Sequence, residues 1–200
     1  MRGELLLPRG QDCKGVVVFI HGSGSSGKSP RNRFVAEALV EGGYGALLMD
    51  LLEEGERGDP LMEEDFSLMA RRVAEAVEEI REDPRLDSLP VALYGASSGA
   101  AIAILAAELL REGEVRTLIS RGGRPDLAGE AQGRVRVPIL FIVGSGDPLV
   151  MVLNQEACEL LPGEHLLQVV EGASHLFQEP GTLEEAARLT LSWLDRHMSR

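Results

Sequence analysis

The sequence predicts an α/β fold, a doubly wound and mostly parallel sheet with helices on both faces and no cap domain. Short, uninterrupted apolar runs such as Val16-Val17-Val18-Phe19-Ile20 and Ile139-Leu140-Phe141-Ile142-Val143 have the length and β-branched content of strands buried on both faces. Between these runs, apolar residues recur at helical spacing, so strand and helix alternate along the chain. That alternation is the mark of a parallel sheet covered on two sides.

Taken in order, the first long strand is residues 16–20, followed by His21-Gly22-Ser23-Gly24 and a helix expected over 31–41. Ala46-Leu47-Leu48-Met49-Asp50 reads as an apolar strand ending in a carboxylate. An acidic, glycine-broken loop over 51–60 leads to a helix over 62–81. The run Val91-Ala92-Leu93 opens the next strand, and a helix over 98–111 follows it. Thr117-Leu118-Ile119 is the strand after that, and residues 122–134 read as a loop. The strand over 139–143 ends in Gly144-Ser145-Gly146-Asp147-Pro148 before a helix over 150–161. Leu166-Leu167-Gln168-Val169-Val170 is the last strand, and a helix over 183–197 closes the chain. In that helix Leu183, Ala186, Ala187, Thr190, Leu191 and Leu194 fall at helical spacing, which makes a core-facing stripe. Neither 51–60 nor 122–134 is long enough to form a helical cap.

The chemistry concentrates at strand ends. Gly95-Ala96-Ser97-Ser98-Gly99 is a G-x-S-x-G match directly after a strand, the pattern of a nucleophile elbow. Its glycines lack a Cβ where strand and helix crowd, so Ser97 can take a strained turn and present its hydroxyl above the sheet edge. A serine nucleophile needs a base within hydrogen-bond reach and an acid to hold that base in one tautomer. Asp147, in the turn after one strand, is the candidate acid, and His175, in the loop after the last strand, is the candidate base. The chain order Ser, Asp, His is that of the hydrolase elbow and differs from the order in other serine-hydrolase folds. Each residue also has a plainer reading. Asp before Pro is ordinary turn chemistry, and a loop histidine can bind a carbonyl. His21-Gly22-Ser23-Gly24 would turn backbone N–H groups toward the nucleophile, with Ser23 N–H and Ser98 N–H as the oxyanion donors and Gly22 as the fallback. His21, Gly22, Arg121 and Arg124 are candidate substrate contacts at the same edge, where ligands bind in open α/β sheets. The arginines could equally cap loops or pair with surface acids.

Gly22-Ser23-Gly24-Ser25-Ser26-Gly27-Lys28-Ser29 also satisfies G-x-x-x-x-G-K-[ST], which would make Lys28 a phosphate ligand and Ser29 a magnesium ligand. Asp50 would then be the strand-end aspartate that helps hold the metal. The P-loop reading, an NTPase or small kinase, leaves Ser97, Asp147 and His175 unexplained. A third reading is a ligand-binding protein that keeps the fold without turnover.

Together these residues make the chain resemble the alpha/beta hydrolase superfamily, and within it the small, capless dienelactone hydrolase-like branch. The resemblance covers nearly the whole chain. The segments His21 to Ser26, Ser29-Pro30-Arg31-Asn32-Arg33, Ser120-Arg121-Gly122-Gly123-Arg124-Pro125-Asp126 and Gly172-Ala173-Ser174-His175-Leu176-Phe177 are similar to hydrolase domains sometimes fused to phosphoribosyltransferases. The resemblance implies an alpha/beta hydrolase fold and a triad. Dienelactone hydrolases proper use a cysteine nucleophile, whereas this elbow carries Ser97, so lactone specificity is not implied. The expected activity is cleavage of a small carboxylic ester, thioester or related acyl bond.

Composition bounds the rest. Two hundred residues with 44% hydrophobic content can bury a real core as a single domain over 1–200. A formal charge of −12 argues against a nucleic-acid partner, because binding the phosphate backbone needs a basic face. No stretch is apolar and long enough to span a bilayer, and Met1-Arg2-Gly3-Glu4 starts no signal peptide, so no membrane association and a cytoplasmic location are expected. Cys13 and Cys158 are expected as free thiols, and no Cys/His cluster has metal-ligand spacing. No metal and no cofactor is expected, only a small-molecule substrate. Lys28, Arg31 and Arg33 beside the oxyanion loop, with Arg121 and Arg124, leave an anionic substrate open. A homodimer through edge strands or helices is also left open.

Overall fold

The computed structural model describes residues 3–199. Its strands are β1 (Gly3–Leu6), β2 (Val16–Ile20), β3 (Gly45–Met49), β4 (Val91–Ala96), β5 (Thr117–Arg121), β6 (Ile139–Gly144) and β7 (His165–Val170). They form one sheet in the order β1-β3-β2-β4-β5-β6-β7. Every pair is parallel except β1 with β3. The helices are α1 (Pro30–Glu41), α2 (Pro60–Glu63), α3 (Phe66–Glu82), α4 (Gly99–Leu109), α5 (Pro148–Leu160) and α6 (Thr182–His197).

Period-two alternation along β2 sends Val16, Val18 and Ile20 to one core and Val17 and Phe19 to the other. The first core packs α3, α4 and α5 against the sheet through residues such as Val73, Ile102 and Ala157. The second packs α1 and α6 through Val35, Leu39, Trp193 and Leu194. Helices therefore cover both faces, and residues buried on both sides explain why the strands read as solid apolar runs rather than alternating ones.

Strand order reverses direction between β2 and β4, since the chain first builds outward to β3 and β1 and later to β5, β6 and β7. A crevice opens at such a switch point, outside the carboxyl ends of the two strands. The loop after β2 and the elbow after β4 meet there.

Three local readings change with the structure. The expected helix over 62–81 is two pieces. Asp65 caps α3 by accepting the Leu68 N–H at 2.8 Å, and α2 stands before it with Asp59 as its own cap. The 122–134 loop contains 3₁₀ turns over Pro125–Gly133, broken at Gly129, where φ is 56°. The antiparallel edge strand β1 carries only four residues, too few for a periodic pattern to register.

Candidate active site

Ser97 follows β4 with φ 54°, a left-handed conformation that a non-glycine residue holds only at a cost of about 1–3 kcal/mol. Its surroundings fix that turn. Ser97 N–H donates to the Arg121 carbonyl at 3.2 Å, while the Ser97 carbonyl accepts from Ala100 N–H at 3.1 Å and Arg124 N–H at 3.0 Å. The two flanking glycines are required by space. A methyl at Gly95 would lie 2.5 Å from the Ala100 backbone, and one at Gly99 would run into the Ile20 carbonyl oxygen. Strand, turn and helix can approach this closely only without those side chains.

The Ser97 Oγ stands 3.3 Å from His175 Nε2, and His175 Nδ1 stands 2.7 Å from Asp147 Oδ2. Three strand ends meet in that chain of contacts, those of β4, β6 and β7. The carboxylate is the more protected partner, with its side chain 15% exposed against 38% for the imidazole. Its second oxygen accepts the Val150 N–H at 3.3 Å, so Asp147 also caps α5 and is held by the helix it starts. The histidine loop is pinned on its far side, where Glu179 accepts Ser174 N–H at 2.9 Å. That bond holds the Glu179 carboxyl below the usual carboxylate range. Gly146 N–H donates to the Ala173 carbonyl at 2.9 Å, tying the aspartate turn to the histidine loop.

The loop after β2 lies against the elbow. A methyl on Gly22 would sit 3.1 Å from Ser97 Cβ and 3.3 Å from Ser98 Oγ, which places Gly22 beside Ser97. Ser23 N–H donates to Ser98 Oγ at 2.8 Å. His21 is buried, and both its ring nitrogens are engaged. Nδ1 lies 3.0 Å from the Gly22 carbonyl, and Nε2 accepts the Leu51 N–H at 3.1 Å. This pairing makes it a neutral tautomer with the proton on Nδ1, and burial lowers its pKa. His21 therefore fastens the loop to the end of β3.

The two arginine side chains are both engaged within the protein. Arg121 is 5% exposed, donates to Asn32 Oδ1 at 3.0 Å and lies 5.6 Å from the centre of the Phe177 ring. Arg124 is held by Asp126 through bonds of 2.9 and 2.7 Å. It is the main chains of Arg121 and Arg124 that reach the site, through their bonds to Ser97. In the basic cluster beside the loop, Arg33 is paired with Glu4 and Glu37.

The G-x-x-x-x-G-K-S segment does not form a phosphate cradle. Ser25 N–H donates to the Gly22 carbonyl, Ser29 N–H to the Ser26 carbonyl and Lys28 N–H to Ser26 Oγ. Gly27 N–H donates to Asp50 Oδ1 at 2.8 Å. Asp50 is thus a loop anchor, also paired with Arg57 at 2.7 Å. Partial burial works against its ionisation, but the Gly27 and Arg57 bonds outweigh it and lower the pKa. A P-loop needs those amides turned outward toward a ligand, and here these four are already bonded within the loop or to Asp50.

Among the described residues no three His, Cys, Asp or Glu side chains gather in a way that could hold a metal ion. Cys13 and Cys158 are both free. No helix among those residues is long and apolar enough to cross a membrane. A small cavity of about 150 Å³ runs along the β2 loop, lined by His21, Gly22, Ser23, Leu52, Arg57 and Met69. Two wider hollows lie away from Ser97. One of about 750 Å³ runs along the loop after β3, and one of about 700 Å³ lies at the opposite edge of the sheet beside Lys14 and Tyr44. None of the three is lined by Ser97, His175 or Asp147, and of them the small cavity is the one lined by Gly22 and Ser23, which lie against Ser97 and Ser98.

Sequence reasoning missed Asn154 and Asn32. Asn154 is fully buried in α5 and donates to the carbonyls of Gly123 and Val150, at 2.9 and 2.7 Å, tying the loop after β5 to the helix that Asp147 starts. A lone asparagine in a helix carries no signal that it faces inward.

The profile of the family described as serine aminopeptidase, S33 matches residues 11–123. A dienelactone hydrolase from Anabaena variabilis has a crystal structure that superposes with a TM-score of 0.91 at 41% identity, over 98% of this chain and 91% of that one. The chain belongs to the dienelactone hydrolase-like alpha/beta hydrolases. It is a hydrolase by family. The Est1E protein of Butyrivibrio proteoclasticus, solved with ferulic acid, shares the fold at 16% identity and a TM-score of 0.81, over 100% of this chain and 96% of that one. A Mycobacterium tuberculosis protein named "Putative phosphoribosyl transferase" is 46% identical over 196 residues, 98% of this chain but 44% of its own length. The chain thus spans less than half the length of the curated relatives it matches.

Proposed function

We propose that this alpha/beta hydrolase is a serine hydrolase that cleaves a small ester, thioester or related acyl bond through an acyl-enzyme on Ser97. The observation that carries the reading is the relay from Ser97 Oγ through His175 to Asp147, at 3.3 and 2.7 Å, on a serine held in a left-handed turn. In this mechanism His175 Nε2 takes the hydroxyl proton as Ser97 Oγ attacks the acyl carbon, and then returns it to the leaving group. Asp147 holds Nδ1–H and stabilises the imidazolium. Ser98 N–H and Ser23 N–H, the latter once freed from Ser98 Oγ, receive the negative oxygen of the tetrahedral intermediate. Water, deprotonated by the same histidine, releases the acid.

Size supports a short acyl group. A cavity of about 150 Å³ beside the oxyanion loop is comparable to an apolar cavity that holds a single benzene ring. Its lining combines the apolar Leu52 and Met69 with the charged Arg57 and Glu63, so size rather than polarity is what it selects. With Arg121 buried and Arg124 held by Asp126, neither side chain is free to recruit an anionic substrate.

The test is intact-protein mass spectrometry after fluorophosphonate treatment, run with Ser97→Ala and with short-chain p-nitrophenyl esters. An adduct mapping to Ser97, with turnover lost in the variant, is the expected outcome. Absence of an adduct on the folded wild-type protein at neutral pH would refute an activated serine.

A further inference from the structure

Ser98 is the N-cap residue immediately before α4, where a serine hydroxyl ordinarily caps its own helix, yet it makes no capping bond. Its oxygen turns the other way. It accepts Ser23 N–H at 2.8 Å and lies 3.0 Å from Ser23 Oγ, in a compartment bordered by Gly22 and Ser97. The N–H that the proposed mechanism needs for the oxyanion is therefore already engaged in the free protein. We propose that the Ser98 hydroxyl is a positioning group that keeps the oxyanion hole closed until the transition state. The idea rests on the serine-hydrolase reading above.

The competition favours charge. A neutral acyl oxygen gains little by displacing a neutral hydroxyl from Ser23 N–H, because the two acceptors are of similar strength. An oxyanion forms a bond roughly twice as strong and displaces it. The hydroxyl thus withholds one donor from the bound substrate and yields it as negative charge develops; because the transition state must still displace it, its cost falls on substrate binding and appears in KM rather than in kcat. The loop does not need this bond to stay in place. His21 to Leu51, Gly27 to Asp50 and Ser25 to Gly22 hold it independently.

Ser98→Ala opens the donor to the ground-state carbonyl, with the main-chain N–H of residue 98 unchanged. With a p-nitrophenyl ester as probe, KM is expected to fall by about twofold to tenfold, the range of one neutral hydrogen bond, with the gain in KM rather than in kcat. Ser98→Thr restores a hydroxyl and is expected to bring KM back up. A role confined to packing would not produce that split and rescue. If Ser98→Ala melts in circular dichroism, Ser98→Gly removes the same hydroxyl and is read the same way. A kcat that drops with KM unchanged, or kinetics indistinguishable from wild type, overturns the proposal. Wild-type protein whose Ser97 takes no fluorophosphonate overturns the underlying serine-hydrolase reading instead, so the two failures are distinct.

Discussion

Gly95→Ala tests whether Ser97 is placed by the crowding of β4 against α4. The added methyl would meet the Ala100 Cα, the Ala100 nitrogen and the Gly99 carbonyl oxygen, all at 2.5 Å, whereas ordinary contact begins at 3.4 Å. The first turn of α4 must then move by about 0.9 Å, since these are backbone atoms that cannot swing aside. Ser97 sits between the two elements that separate, so its Oγ shifts against a histidine carried by a different strand. A displacement of about 1 Å at a reacting group costs on the order of 100-fold in rate. Overpacking a buried site adds about 1–3 kcal/mol of destabilisation. The assay is p-nitrophenyl ester turnover beside urea denaturation, with fluorophosphonate labelling to follow Ser97 directly. Gly22→Ala is the internal comparison: its closest contacts would be 3.0 to 3.3 Å, and two of the three are side-chain atoms, so both losses are expected to be smaller. A folded Gly95→Ala protein turning over within about threefold of wild type would show that the elbow's geometry does not depend on this contact.

Asp147→Asn keeps an oxygen able to cap Val150 but favours the wrong imidazole tautomer, so kcat is expected to fall by about 10⁴ with little change in the melting temperature; a loss under tenfold sinks the assigned role. Burial lowers the His21 pKa in the folded protein, so the unfolded chain binds the proton more readily and this contribution to stability is lost as pH falls below the ordinary value of 6.5. Urea denaturation between pH 5 and 8 is expected to show that acid-side loss in wild type and a shallower one in His21→Gln, and equal slopes would refute it. Magnesium ATP is expected to leave the melting temperature of both wild type and Lys28→Ala unchanged, because the amides of Ser25, Gly27, Lys28 and Ser29 are already bonded within the loop or to Asp50; nucleotide stabilisation abolished by the Lys28 change would reinstate a P-loop.

How much was legible in the sequence follows from which interactions are local. The run Val16 to Ile20 is a strand in the sequence because both of its faces are buried, and the structure gives it those bounds. Ser97, Asp147 and His175 were legible because each stands directly after an apolar strand, and parallel strands deliver their C-terminal ends to one edge. The side-chain roles of Arg121, Arg124 and His21 were not, because a strand-end position says where the backbone emerges and nothing about the partner waiting there. Asn32 comes from α1, Asp126 from the turn after Arg124, and the Leu51 amide from the end of β3. Only the last two of these three arise within the loops that line the edge, and none is marked by spacing.

The glycine-rich loop makes the limit concrete. Its eight letters satisfy the phosphate-binding pattern, yet pattern matching reads residue types, while a cradle is defined by the direction of N–H vectors. Asp50 decides that direction. By accepting Gly27 N–H and pairing with Arg57, it pulls the loop down onto the end of β3, where a methyl on Gly27 would meet the Met49 backbone at 2.9 Å. The glycine that a P-loop would use for backbone approach to a phosphate is used here for approach to a strand. The carboxylate that would hold a metal is consumed in the same contact. What remains directed toward Ser97 and Ser98 is the front of the loop, Gly22 and Ser23, so the strand-end aspartate and the loop after β2 form one structural unit.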